Sequence, residues 1–317
     1  MHSIYIAGRV NIDTIVELDG VLLRGRKHGG RLFSRAIGGT GANVAIAMAR
    51  FNRGFKLKLI ASIGTDYADY IVAALASEGI DVSGISLYSE PSGEAYIFID
   101  KDCEATIVTI PNVNVRPPDP GRYMVVDSVD AVVLGNTVRE TALNLIGVAR
   151  GRNAAIFLDP GMSWFNVDDL NSLGEECFII PNRYEFKELF GIDVDRYLQN
   201  PDILNTKCTI IIKLGSDGAA AIDRKAGTIV RASPLKLEGL GISPRTTAGC
   251  GDVFTGIFAA RYLENRSLLD ALLYASVAAG LKRSRVVSSD APTRSEIERA
   301  VELAERRNLI SITVREF

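Results

Sequence analysis

The sequence predicts an α/β fold in which a mostly parallel sheet is covered by helices and carries a small β lid. Three observations point there. Short apolar runs alternate with longer periodic segments along most of the chain, the pattern of repeated strand–helix units. Two stretches break that rhythm with apolar/polar alternation, which marks strands with one wet face. The 317 residues suffice for one large α/β domain with an elaboration, or for two domains of about 150 residues.

The elements follow in order. Ser3 to Ala7 reads as a strand ending at Gly8. IDTIVELDG with GGRLFSRAIGG, and later EAYIFIDKDCEATIVTIP, alternate as strands, the last around an Asp100-Lys101-Asp102 hairpin turn. These two stretches, about 12–36 and 92–111, are expected to form a discontinuous lid, either closing over a substrate or serving as a structural or dimerising sheet. Asn43 to Phe51 reads as a helix, LKLIASIG as a buried strand, and YIVAALASEGI after Asp66 as a second helix. Further strands are expected at Ala131 to Leu134, Ala155 to Leu158, Cys177 to Ile180, Thr209 to Lys213 and Ala219 to Asp223, with helices between several of them. Thr293, with Glu296 three residues on, starts a C-terminal surface helix by a capping box, and ISITVREF returns a strand.

Composition removes several classes of function. Apolar residues make up 47% of the chain against 23% charged, which argues against disorder. Lys and Arg number 36 and Asp and Glu 38, so a formal charge of -2 offers no broad field for nucleic acid or an anionic membrane, and any phosphate site must be local. The first residues lack a basic segment followed by a long apolar one, and no run reaches the 18 or so residues of a membrane span. Cys103, Cys177, Cys208 and Cys250 form no C-x-x-C pair; a cytoplasmic protein is expected, without a disulfide framework or thiolate zinc site. With only His2 and His28, a histidine triad or zinc site is not expected either.

The strongest chemical signal is TTAGCGDVFTGIFAARYLE, from Thr246 to Glu264. Gly249 and Gly251 permit a tight turn that opens into a helix. The N–H groups from Ala248 through Asp252 can form an anion nest at the positive end of that helix, with the Asp252 carboxylate facing the same space. This suits phosphoryl transfer: backbone donors stabilise the transferring group while Asp252 accepts the proton of an attacking alcohol. The same turn also reads as an ordinary helix start. It is neither a dinucleotide fingerprint nor a P-loop.

In family order, the motifs resemble the ribokinase-like carbohydrate kinases of phosphofructokinase-B type. T-T-A-G-C-G-D at 246 to 252 matches the family's D-T-x-G-A-G-D, and GGTGANVA matches G-G-x-x-x-N-x-A at Gly38, Gly39, Asn43 and Ala45. Gly8, Asn11 and Asp13 match G-x-x-N-x-D, and Asn182 and Glu185 in PNRYEF match N-x-x-E. The resemblance implies one three-layer kinase domain over 1–317, Asp252 as catalytic base, and Gly249, Cys250 and Gly251 as the anion-hole turn. It implies Asn11, Asp13, Gly39 and Asn43 as acceptor contacts. Asn182, Lys213, Gly215 and Gly218 become nucleotide contacts together with Gly249 and Gly251, and Glu185 a residue that organises Mg²⁺ through water. A homodimer through the lid is a further expectation.

The residue chemistry agrees while leaving second readings open. Asp13 can accept two hydroxyls of a polyol or serve as a turn acid; Asn43 and Glu185 can each be helix-end residues. Lys213, in KLGSDGA, can touch nucleotide phosphates or end a strand at the surface. LLDALLYASVAAGLKRS, which has Ser276 near a position where relatives often carry Asn, is expected as a wall beside adenine. Two departures from the family pattern leave monovalent-cation activation an open question here: Thr246 replaces the signature's first Asp, and VVSSDAPT replaces a glycine–alanine turn. Cys250 reads as a small buried residue rather than a nucleophile.

For the acceptor, DPG at 159 to 161 resembles some archaeal-type nucleoside kinases of the family. Arg9, Arg24, Arg26, Lys27 and Arg31 instead admit an acceptor that already carries phosphate, or are solvated surface charge. The expected activity is ATP- and Mg²⁺-dependent phosphorylation of a primary hydroxyl on ribose or a ribonucleoside. The alternatives are a phosphofructokinase-like or ribose-phosphate kinase, and a non-catalytic sugar-binding or regulatory protein.

Overall fold

A computed structural model of the chain describes residues 2–125, 128–161, 165, 169, 173–174 and 176–317. The described strands form two sheets. The larger runs in the order β14-β13-β12-β11-β10-β9-β8-β1-β4-β5. Its central members are β5 (Ile85–Tyr88), β4 (Lys56–Gly64), β1 (Ser3–Ala7), β8 (Ala131–Leu134), β9 (Ala155–Leu158), β10 (Cys177–Ile179) and β11 (Thr209–Lys213), all parallel. β12 (Ala219–Asp223), β13 (Thr228–Ala232) and β14 (Ile312–Glu316) extend it antiparallel. The parallel strands are short apolar runs because both faces are covered.

Alternation along each strand divides the core into two layers. Ile4, Ile6 and Ile211 face helices α1 (Thr40–Phe51), α2 (Ala68–Ser77), α6 (Cys250–Asn265), α7 (Leu268–Lys282) and α8 (Arg294–Arg306). Tyr5, Ala7, Ile210 and Ile212 face α3 (Arg139–Arg152), α4 (Arg183–Phe190) and α5 (Val194–Gln199). Helix–sheet–helix is thus the observed layering, with the strand ranges expected from apolar runs closely reproduced. The Thr293 capping box forms, Glu296 Oε2 accepting from the Thr293 N–H at 2.7 Å.

The second sheet runs β3-β2-β6-β7 and comprises β2 (Asn11–Leu18), β3 (Gly30–Gly38), β6 (Gly93–Ile99) and β7 (Ala105–Ile110). β2 and β6 lie parallel although flanked by antiparallel neighbours, which the alternating pattern alone did not distinguish. Its inner face packs Ile15, Ile97 and Ile99 on Ala248 and Val286, so the sheet rests directly on the segment leading into α6. Ala105 N–H donates to Thr247 Oγ1 at 3.2 Å, and Arg245 pairs with Glu17 at 2.9 Å, fixing the same approach.

One expectation is corrected. Cys177 and Cys208 form a disulfide, their Cα atoms 4.8 Å apart. Motif spacing missed it because the two residues are 31 apart in sequence yet adjacent in space: Cys177 opens β10 and Cys208 immediately precedes the neighbouring parallel strand β11. Among the described residues, no helix is long and apolar enough to cross a membrane.

Candidate active site

Parallel strands end their ladders on one edge, and the residues just beyond those carboxyl ends converge there. Arg9, Asn11 and Asp13 follow or continue β1 into β2; Asn136 follows β8, Asp159 follows β9, Asn182 and Glu185 follow β10, and Lys213 ends β11. One pocket on this edge is lined by Arg9, Asn11, Asp13, Gly39, Asn43, Asn136, Gly249, Asp252 and Ser288, with Ala95, Ile97, Ile107 and Thr109 of the second sheet above. Every acceptor contact expected from the sequence therefore meets the expected base in one cavity.

Asp252 sits in the first turn of α6, behind the Gly249 N-cap. Gly249 has φ 76°, and a Cβ there would fall 2.3 Å from the Ser288 carbonyl oxygen, so both conformation and space require glycine. The turn is more selective than a run of five free donors. Ala248 N–H donates to Thr246 Oγ1 at 3.1 Å and Cys250 N–H to the Thr247 carbonyl at 3.3 Å. The Cys250 N–H, expected in the anion hole, thus has an acceptor within the turn. Among the described residues the N–H groups of Gly249, Gly251 and Asp252 have no acceptor, and they face the positive end of a 16-residue helix. Burial pushes the Cys250 thiol up to about 11, which suits the bland role foreseen for it.

The carboxylates are tuned by their surroundings. Burial pushes Asp252 up to about 6; a hydrogen bond from Asn43 Nδ2 at 2.7 Å opposes this, nearby Asp159 adds to it, and Lys213 and Lys282 pull back. Asp13 is likewise pushed up to about 6 by burial, opposed by a hydrogen bond from the Ser288 hydroxyl to its Oδ2 and reinforced by Asp252. At this pocket Asp13 Oδ1 and Asn43 Oδ1 are buried acceptors with no donor among the described residues. Asn11 is steadied by Asn114, whose Nδ2 donates to Asn11 Oδ1 at 2.7 Å.

Lys213 is mostly enclosed, its side chain 14% exposed, rather than a solvated strand end. Its ammonium donates to Asp159 Oδ2 at 2.6 Å, and that carboxylate also accepts from Thr255 Oγ1 at 2.7 Å. A Cβ built on Gly251 would lie 3.7 Å from Lys213 Nζ, which puts the cation under the α6 turn. Burial acts to lower its pKa, but Asp159, Glu185 and Asp252 outweigh this and hold it above the ordinary lysine value. Asn182 and Glu185 form a capping box at α4, Asn182 Oδ1 accepting from Tyr184 and Glu185 N–H at 2.9 Å and Glu185 Oε2 from Asn182 N–H at 2.7 Å. The structural reading of both residues is thus realised. Glu185 nonetheless faces Lys213, Asp159 and Asp252, and burial raises its pKa.

Gly215 and Gly218 flank a short turn after β11. Gly218, at φ 87°, lies so close to the Ala232 carbonyl that a Cβ would overlap it at 2.0 Å. Ser276 is buried on α7 with its hydroxyl unpartnered. In the basic group, Arg24, Arg26 and Lys27 are exposed and Arg31 pairs with Glu17, whereas Arg9 is half-buried at the pocket with its pKa lowered by burial. Sequence patterns missed Asn114, Ser288 and Thr255, which bond to Asn11, Asp13 and Asp159 far off in the chain, together with Asn136, which lines the pocket, and Lys282, whose ammonium reaches the Ala248 carbonyl.

Comparison with known proteins agrees with this geometry. The chain is 27% identical over 310 residues to ribokinase of Haemophilus influenzae, covering 93% of this chain and 96% of that protein. It is 26% identical over 317 residues to the ATP-dependent ribose-1-phosphate kinase of Halopiger xanaduensis, covering 96% and 99%. Among solved structures, ribokinase from Cryptococcus neoformans in complex with ADP superposes with a TM-score of 0.80 at 23% identity, covering 94% of this chain and 99% of that one. The pfkB family carbohydrate kinase model matches residues 1–294, and the chain belongs to that family.

Proposed function

We propose that the protein transfers the γ-phosphoryl group of ATP to a primary hydroxyl of ribose or a ribonucleoside. The observation that carries this is the pair of orphaned buried acceptors, Asp13 Oδ1 and Asn43 Oδ1, in the same pocket as Asp252. Buried acceptors without donors are costly unless a ligand supplies them, and a polyol supplies several hydroxyl donors at once. Asp13, Asn11, Gly39 and Asn43 orient the sugar. Asp252 takes the proton of the attacking hydroxyl as its oxygen bonds to the γ-phosphorus and the bond to the β-phosphate oxygen breaks, releasing ADP. The free N–H groups of Gly249, Gly251 and Asp252 stabilise the transferring group.

On the nucleotide side, Lys213 supplies a point charge toward the phosphates, with Asn182, Gly215 and Gly218 around it. Mg²⁺ bound with ATP neutralises phosphate charge. Among the described residues no three ligating side chains cluster as a metal cage, which suits an ion carried in on the phosphates and steadied by Glu185 through water. The second sheet acts as a lid that excludes water.

Its face away from the pocket exposes Leu32, Val108 and Ile110, and the outer edges of β3 and β7 have no strand partner among the described residues, so a homodimer through this sheet completes the assembly. Light scattering tests that point; a monomer at micromolar concentrations rejects it. A cytoplasmic location no longer rests on unpaired cysteines, and its remaining support is the use of ATP.

A second acceptor is favoured by one observation. Arg9 is a half-buried cation at the pocket that makes no ion pair among the described residues, which suits a sugar that already bears a phosphate. A matrix of pentoses, hexoses, ribonucleosides and sugar phosphates, each with ATP or ADP, separates the cases. ATP-dependent product from ribose, cytidine or adenosine is the expected result; transfer confined to sugar phosphates selects the second reading, and transfer to nothing leaves a non-catalytic binding protein.

A further inference from the structure

Val10 lies between the end of β1 and the start of β2, where the chain crosses from the large sheet to the lid and neither ladder serves it. The residue is wholly buried, so its backbone groups need partners inside the protein. Asn114, on a one-turn helix over Asn112–Val115 beyond β7, supplies both. Its Oδ1 accepts from the Val10 N–H and its Nδ2 donates to the Val10 carbonyl, each at 3.3 Å. A peptide N–H only donates and a peptide carbonyl only accepts, so the Asn114 carboxamide has one orientation. Its Nδ2 also donates to Asn11 Oδ1 at 2.7 Å.

That contact fixes Asn11 in turn. An amide nitrogen does not accept, so Asn11 must turn its oxygen to Asn114. Its own Nδ2 has no acceptor among the described residues and is left for the pocket that Asn11 lines. The fit is close: a Cβ on Gly93, the register partner of Asn11 in β6, would fall 1.9 Å from Asn114 Nδ2 and 2.6 Å from Asn11 Oδ1. Elsewhere in the pocket the polarity is reversed. Asn43 commits its Nδ2 to Asp252 and keeps Oδ1 free, and Asp13 Oδ1 is likewise an acceptor without a donor.

We propose that Asn114 is a positioning residue that sets the polarity of the acceptor site: through it Asn11 offers the substrate a hydrogen-bond donor where Asp13 and Asn43 offer acceptors. The matching substrate class places an accepting oxygen beside Asn11 and donating hydroxyls beside the other two. An amino sugar that would bring its ammonium to Asn11 is refused. This rests on Asn11 holding the acceptor sugar, so the test includes a measurement that needs no substrate.

Calorimetry measures the binding of ribose and of its amino-deoxy and fluoro-deoxy analogues to wild type, Asn114→Asp, Asn11→Ala and the double variant. Fluorine only accepts, and an ammonium only donates. At one hydroxyl position wild type is expected to bind the fluoro analogue about tenfold more tightly than the amino one. In Asn114→Asp the introduced carboxylate draws Asn11 Nδ2 to itself, and the order at that position is expected to reverse, with the KM for ATP nearly unchanged. On the Asn11→Ala background, Asn114→Asp is expected to alter the binding of neither analogue. An unreversed order in folded Asn114→Asp, or a reversal that survives Asn11→Ala, overturns the proposal. Side-chain amide exchange followed by NMR in isotope-labelled wild type decides even if Asn114→Asp does not fold. The Asn11 amide, assigned by its absence from Asn11→Ala, is expected to exchange fast without ligand and to slow when ribose binds. Protection of that amide in the unliganded protein would mean that Asn11 turns its nitrogen inward, and would overturn the inference. Should no acceptor be phosphorylated at all, the kinase reading fails on its own, while the exchange of the unliganded protein still decides how Asn114 orients Asn11.

Discussion

Asn43 Nδ2 donates to Asp252 Oδ2 at 2.7 Å, joining two residues 209 positions apart. The bond leaves Asn43 Oδ1 as an unmet acceptor among the described residues, and through it the first helix of the chain orients the acid at the start of the sixth. An acid held this way is ready to receive a proton without first reorganising.

Asp252→Asn keeps the size and the contact with Asn43 but cannot accept a proton. Turnover is expected to fall by about 10²–10⁴, the range for general base catalysis, while ATP affinity measured by calorimetry changes little. Near-normal turnover in the variant would remove Asp252 as the base.

The pH dependence follows from two acids pushed up to about 6. Because they interact, they titrate as a pair, and kcat/KM is expected to rise as pH increases through about 6 and then level off. The sign for stability is opposite. A carboxylate whose pKa is higher in the folded state than unfolded costs stability when ionised; that cost is full above about 6 and is lost as pH falls from about 6 to the unfolded value near 4. Asp252→Asn is therefore expected to be more stable than wild type at pH 7.5 by up to roughly 3 kcal/mol, with the gap narrowing below pH 6 and closing near pH 4. Thermal unfolding of both proteins across pH 4–8 measures it, and a gap that widens toward acid would contradict the assignment.

Lys213 and Asp159 test the phosphate side. Lys213→Met leaves Asp159 buried without its ammonium partner, which is expected to cost about 3–5 kcal/mol of stability and to raise the KM for ATP by about tenfold. Adding Asp159→Asn in the same chain should restore stability but not the KM. Recovery of both would make the pair purely structural.

The Cys177–Cys208 bridge closes a 31-residue separation around the β10–β11 crossover. Replacing both cysteines with serine is expected to cost about 3–4 kcal/mol, the effect of removing a crosslink of this loop size from the unfolded chain. The bridge lies at the strands' amino ends, away from the pocket edge, so kcat at moderate temperature should hold. Loss of activity without loss of Tm would show a role that its position does not explain.

What was legible in the sequence was local. Ser3–Ala7 and Thr209–Lys213 were readable because strands covered on both faces are short uninterrupted apolar runs, and the Gly249–Asp252 turn because glycine, nest and acid are consecutive. Asn182 and Glu185 were visible yet ambiguous, since the same side chains cap α4 and face Lys213. Lys282, Ser288 and Asn114 were not legible, because a lysine at the end of an apolar helix looks like an ordinary surface terminus until the Ala248 carbonyl is seen above it. The disulfide and the parallel pairing of β2 with β6 were hidden for the same reason: each joins residues that only the crossover connections bring together.

Arg9 decides between the two acceptors. Arg9 is half-buried and lines the pocket, and among the described residues it makes no ion pair. If the acceptor carries a phosphate, Arg9→Gln removes a charge-assisted contact worth about 1.5–3 kcal/mol, a loss of roughly 10- to 100-fold in kcat/KM for that sugar phosphate. Free ribose or a ribonucleoside, which has no anion to place there, should lose about threefold at most. The ratio of the two effects is the measurement: a selective loss assigns Arg9 to a phosphate, whereas an equal small change in both leaves the unphosphorylated sugar as the substrate.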